Sequence, residues 1–138
     1  MVKRITPLTR KQSEIYSDFH KDLVLSPVSN DLAKKIDEES VKESIKNLIL
    51  TDRFERPFQP FLGGNIRSLL FSNFVPGTIE TVDAAIRSTL IAYEPRCEIV
   101  NIEIEPNPDL NAFRITIVFS IINSEKDTTL QVTLKRVR

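Results

Sequence analysis

At Pro95 the spacing of apolar residues changes from that of helices to that of strands, and this one change limits the folds open to the chain. Upstream, apolar residues recur at helical spacing; downstream, they alternate with polar ones. Helices first and strands last is the pattern of a two-layer α+β domain. Its helices pack on one face of an antiparallel sheet, and the other face meets water.

The upstream half holds three helical segments. Ser40-Val41-Lys42-Glu43 has the form of a capping box, with Val41, Ile45, Leu48 and Ile49 making one apolar stripe that ends near Thr51 or Asp52. Ile66 to Phe74 reads as a short helix with Ile66, Leu69, Leu70 and Phe74 inward, broken by Pro76-Gly77. Thr78 is the expected N-cap of the longest helix, whose core face is Ile79, Val82, Ile86, Leu90 and Tyr93. Pro95 disfavours helical geometry at Glu94 and stops it there. Before these helices, residues 1–15 form a polar arm. Tyr16–Val28 reads as extended, Pro27-Val28-Ser29-Asn30-Asp31 has turn chemistry and Asp31–Ile36 reads as a short strand or turn, which admits an extra N-terminal hairpin.

Downstream, Val100, Ile102 and Ile104 mark a first strand, and Pro106-Asn107-Pro108-Asp109 a loop. Phe113, Ile115, Ile117, Phe119 and Ile121 form the inner face of a second strand, and Leu130, Val132 and Leu134 that of a third. Short links make the three an antiparallel meander. The 138 residues fit one domain over 16–138 after the arm.

Charge and composition narrow the function. Lys plus Arg equals Asp plus Glu, 19 each, which argues against a general nucleic-acid binder. The basic start, Met1-Val2-Lys3-Arg4, has no apolar stretch after it, so no signal peptide is expected, and no apolar run is long enough to span a bilayer. The single cysteine, Cys97, can form neither an internal disulfide nor a zinc site and reads as a small buried hydrophobe. The single histidine, His20, reads as a surface residue, and no catalytic triad can be assembled around it. Gly63-Gly64 before a helix could bind an anion through free amides, but a tight turn is the better reading. No cofactor, metal or small-molecule ligand is expected.

Four features could serve recognition or chemistry. Glu55 and Glu94 could act on paper as a glycosidase pair, but Arg56 and Arg96 stand beside them and favour structural ion pairs with lowered pKa, the opposite of a catalytic acid. The loop Arg53–Asn65 carries three phenylalanines among prolines and glycines, which either tuck under the loop or meet a partner; Arg56 and Phe58 are its candidate interaction residues. Glu94-Pro95-Arg96 sets an acid and a guanidinium on a rigid corner, either a helix terminator with a solvated ion pair or a docking corner. The last strand, with Gln131, Val132 and Thr133 at its middle, is expected at a sheet edge. Its polar and basic ends either block aggregation or flank a site for strand addition.

Several of these segments, in order, resemble one family. Asp37-Glu38-Glu39-Ser40-Val41-Lys42-Glu43-Ser44-Ile45-Lys46-Asn47-Leu48-Ile49-Leu50-Thr51 resembles its first helix, and Glu55-Arg56-Pro57-Phe58-Gln59-Pro60-Phe61-Leu62-Gly63-Gly64 the loop after it. Ile66-Arg67-Ser68-Leu69-Leu70-Phe71, then Tyr93-Glu94-Pro95-Arg96 and the strands continue the likeness from about Tyr16 to about Leu134. The family is the baseplate wedge and sheath-initiator proteins of contractile phage tails, some labelled lysozyme-like, with a counterpart in type VI secretion baseplates. Many relatives have one glycine where this chain has two, and the arm before Tyr16 lies outside the likeness.

The resemblance implies a non-enzymatic structural subunit of the virion tail, assembled in the bacterial host cytoplasm. Its partners would be other baseplate wedge proteins and the tail sheath, with the tail tube a further candidate, and neither nucleic acid nor membrane. Glu94, Pro95 and Arg96 would hold the wedge core. The strands over 112–122 and 128–136 would template the first sheath ring by strand addition. The lysozyme label on some relatives would instead imply peptidoglycan cleavage, and the type VI counterpart the same physics in a bacterial setting.

Overall fold

The computed structural model describes residues 16–69, 77–107, 109, 112–122 and 127–135. In chain order the elements are β1 (Ser17–Phe19), β2 (Lys34–Ile36), α1 (Glu38–Leu50), α2 (Ile66–Leu69), α3 (Thr78–Tyr93), β3 (Cys97–Asn107), β4 (Ala112–Ile121) and β5 (Asp127–Lys135). The polar arm, the second half of the expected short helix with Leu70 and Phe74, and the turn before Asp127 lie outside the described residues.

β3, β4 and β5 form the expected antiparallel meander in that spatial order. Its inner face, with Phe113, Ile115, Ile117, Phe119, Val132 and Leu134, is buried against Val41, Ile45 and Ile49 of α1, Ile66 of α2, and Val82, Ile86 and Leu90 of α3. The architecture is therefore α+β in two layers. β1 and β2 make the extra N-terminal hairpin, with Ser17 opposite Ile36, and Leu25 bridges Leu32 beyond it.

Four local expectations change. α1 starts at Glu38, two residues ahead of the proposed cap. Asp37 precedes it, and its carboxylate accepts the Tyr16 amide at 2.9 Å rather than capping the helix. Ser40 is instead buried, and Glu43 pairs with Lys35 of β2 at 2.8 Å. A charge partner supplied by the hairpin outcompetes the local bond of a capping box. In α3, Gly77 in left-handed geometry precedes the helix rather than Thr78, and Ile79 and Tyr93 are exposed because the terminal turns reach past the cover of the sheet. In β3, a bulge between Ile99 and Asn101 turns Val100 outward and puts Ile99 against the core. The strand also continues through Pro106 and Asn107, opposite Phe113 and Ala112, where a loop is expected from the prolines.

Gly63-Gly64 is a turn. Gly63 has φ +106, and a Cβ there would collide with the carbonyl oxygen of Thr51. Gly77 has φ +102 with open space around it. Gly77→Ala should therefore cost only the left-handed conformation, about 1–2 kcal/mol, and Gly63→Ala should cost more, about 3 kcal/mol, because backbone must also move. Urea unfolding of the two variants checks this; equal losses would contradict it.

Candidate functional site

The corner forms where α3 ends. The Glu94 amide still bonds to the Leu90 carbonyl at 2.8 Å, Pro95 prevents a further turn, and the chain swings into β3. That swing brings residue 96 back onto residue 94. The Arg96 guanidinium donates to both Glu94 oxygens, Nε to Oε1 at 2.6 Å and a terminal nitrogen to Oε2 at 2.7 Å. The pair is not solvated: the Glu94 side chain is 1% exposed and that of Arg96 29%. The solvated-ion-pair alternative is thus corrected: the acid is buried. Ser44 of α1 also hydrogen-bonds Glu94, and the Tyr16 ring lies 5.6 Å from the Arg96 guanidinium carbon. The Arg96 carbonyl accepts the Ile122 amide at 3.0 Å, which ties the corner to the end of β4.

Burial works to raise the Glu94 pKa, but the hydrogen bonds from Arg96 and Ser44 outweigh it and hold the carboxyl below its ordinary 4.5. Hydrogen bonding to Glu94 raises Arg96 further despite partial burial. What remains presentable is Pro95, which is exposed, and the open side of the guanidinium. Beside them runs a groove of about 430 Å³ between α3 and β3, floored by Leu90, Ile91 and Ile99. The Cys97 thiol at its wall is pushed up to about 11, chiefly by burial and then by Glu94, and so is not a nucleophile at neutral pH.

The loop resolves the other way from the corner. Phe54, Phe58 and Phe61 do not tuck under it: they are 72%, 99% and 70% exposed. Phe54 and Phe61 meet edge to face at 6.2 Å, and the Phe54 amide bonds to the Pro60 carbonyl at 2.7 Å, so the loop is closed on itself. The Tyr93 hydroxyl donates to the Phe61 carbonyl at 2.9 Å and joins this loop to the turn of α3 just before the corner. Arg56 is exposed. Glu55 accepts the Asp52 amide at 2.9 Å, and no ion pair joins it to Arg56 among the described residues, which corrects that expectation. Arg56 and Phe58 thus lie on an exposed loop that is tied to the end of α3 through Phe61 and Tyr93. Gln131, Val132 and Thr133 lie on β5, opposite Thr116, Ile115 and Arg114, on the far side of the sheet from β3. Gln131 and Thr133 are exposed and Val132 is in the core.

Sequence reasoning missed Tyr16, Asp37, Ser44 and the Lys35–Glu43 pair, which build the corner's surroundings; none has a local signature. His20 is partly exposed, its Nδ1 accepting the Asp22 amide at 3.3 Å. Among the described residues no cluster suits a metal ion, and no helix is long and apolar enough to cross a membrane.

Removing the guanidinium strands a buried carboxylate. Arg96→Ala should therefore cost about 3–5 kcal/mol of stability. The pH dependence has a definite sign. A depressed folded pKa contributes stability fully present above the unfolded value and lost as pH falls through the folded one, so the Glu94 contribution should fade below about 4.5. Glu43, lowered chiefly by its hydrogen bond to Lys35, adds a loss of the same sign. Glu94→Gln should flatten the acid limb in part; an unchanged limb in thermal melts would contradict the assignment.

Comparisons with known proteins show the family and the fold. The family model described as baseplate wedge protein gp25 matches residues 36–126. Baseplate wedge protein gp25 of Enterobacteria phage T4 is 30% identical over 115 residues, covering 83% of this chain and 86% of that protein. Among solved structures, a Geobacter sulfurreducens protein described as a candidate tail lysozyme has the same fold. Its TM-score is 0.67 at 24% identity, over 83% of this chain and 96% of that one. A chain of the anti-feeding prophage baseplate has TM-score 0.61 at 15% identity, over 89% of this chain and 87% of that one. With the family model matching most of its length and the phage relative most of both chains, this protein belongs to the gp25 family of baseplate wedge proteins.

Proposed function

We propose that this chain is a non-catalytic subunit of a contractile-tail baseplate, resident in the virion tail. It docks on neighbouring wedge proteins through the Arg96 corner and the Phe58 loop, and it offers β5 as the acceptor for a strand of the first sheath ring. The observation that carries this reading is the difference between the two edges of the sheet. β3 is defended: it has a bulge at Val100, Pro106 without an N–H, and exposed Glu98, Glu103 and Glu105. β5 pairs with β4 over nine consecutive residues without a bulge, and Thr128–Leu134 contains neither proline nor charge. Among the described residues no further strand or backbone bond covers its outer side. Proteins that must stay apart blunt such edges, so an undefended one is a surface for strand addition.

The geometry gives no support to a peptidoglycan hydrolase. A glycosidase acid must hold its proton until the leaving group takes it. Glu94 is held ionised and away from water by Arg96, and Glu55 is an exposed acceptor for its own turn.

Two experiments test the two surfaces. Phe58 touches almost nothing, so Phe58→Ala should change stability by no more than about 0.5 kcal/mol while weakening co-assembly with wedge partners; unaltered wedge assembly would remove the loop from the interface. In β5, of any two neighbours one turns its N–H away from β4. Of single prolines at Val132 and Thr133, the one on the outward-facing amide should fold, bind the wedge and fail to nucleate sheath. Normal sheath polymerisation on such baseplates would end the strand-addition reading.

A further inference from the structure

The β5 edge has a property that strand addition from a different protein does not require: its charge pattern complements itself. Asp127 and Lys135 are the only charged residues in the strand, both are exposed, and each lies four residues from Gln131. We propose that the unassembled protein pairs with a second copy of itself through β5, antiparallel and centred on Gln131. Symmetric pairing about one residue sets each position opposite its mirror position. Asp127 of each copy then meets Lys135 of the other, so the ion pair occurs twice. On the same outer face Thr129 meets Thr133 and Gln131 meets Gln131. On the inner face Leu130 meets Val132 and Thr128 meets Leu134, and the half-buried Leu130 gains cover.

The charges select both direction and register. Parallel pairing in register would set Asp127 on Asp127 and Lys135 on Lys135, like charges directly opposite. A slip of two residues would leave each acid opposite an uncharged residue. Pairing through β3 is opposed by its bulge, its proline and the like charge of its three exposed glutamates. The two-fold axis stands perpendicular to the sheet, so the three strands of each copy join into one sheet with both helical layers on the same side. The interface uses the edge assigned above to the sheath strand, yet it stands on the self-complementarity of β5 and does not require that assignment. Such a pair would keep the free chain's edge from promiscuous partners until assembly opens it.

Charge reversal at two exposed positions tests this without disturbing the core. Sedimentation velocity of the full chain over a concentration series should show a monomer–dimer equilibrium. Asp127→Lys and Lys135→Asp should each weaken it roughly tenfold or more, since each change converts both ion pairs to repulsions. The double variant Asp127→Lys/Lys135→Asp should recover it. The two single variants, each poor at pairing with itself, should pair with each other when mixed. One then carries lysine at both ends of β5 and the other aspartate at both ends, so every end-to-end contact joins opposite charges. Amide exchange in β5 should slow as concentration rises. A monomer at all concentrations would overturn the proposal. So would a dimer indifferent to these reversals, or one whose protection maps to the phenylalanine loop instead of β5. None of these outcomes bears on sheath nucleation, which is read separately.

Discussion

A carboxylate excluded from water needs a partner that is both charged and correctly aimed, and in this fold the need is met at Glu94. The partner is two residues away, and it reaches back only because Pro95 ends the helix and turns the chain. The bidentate pair therefore fixes the angle at which α3 passes into β3. Ser44 brings α1 to the same point, the Tyr16 ring brings the hairpin, and the Ile122–Arg96 backbone bond brings the end of β4. Helical layer, hairpin and sheet are joined by one ion pair, and the corner first serves the chain's own assembly. Any partner meets only what is left exposed: Pro95, the open side of Arg96, the groove beside them and the aromatic loop tied to Tyr93.

Much of this was legible in the sequence because it is local. The change of period at Pro95 gives the order of layers, and the inward sets 113–121 and 130–134 follow from alternation alone. The helix stripe Val41, Ile45, Leu48 and Ile49 is buried as its spacing requires. The failures share a cause: distant parts of the chain decided them. The Ser40–Glu43 cap is overridden by Lys35 and Asp37, which the hairpin supplies. Alternation through Val100 is broken by a bulge that no residue type announces. Ile79 and Tyr93 keep helical phase but lie in end turns that are only partly covered. The surroundings of the pair, Ser44 at Glu94 and Tyr16 at Arg96, are far away in sequence, so the motif was visible as a corner but not as a core ion pair.

The sheet matters as much as the corner. Its two edges have the same neighbour, β4, and the same antiparallel pairing, yet one is bent, acidic and interrupted by proline while the other is straight and nearly uncharged. Aggregation pressure acts on both alike, and the difference is what supports the proposed partner on one side. Membership of the gp25 baseplate wedge family gives that partner a setting. On the proposed reading the corner and the closed loop hold the subunit in place, and the meander, anchored at one end by the Arg96–Ile122 bond, offers the β5 edge, which no other described strand covers.

What occupies that margin in a finished particle is the decisive fact. Imaging of the assembled tail at a resolution that traces backbone should find an extended segment of the neighbouring sheath subunit hydrogen-bonded along residues 128–134, continuing the meander by one strand. A β5 bordered by solvent, or already covered by another part of this same chain, would contradict it.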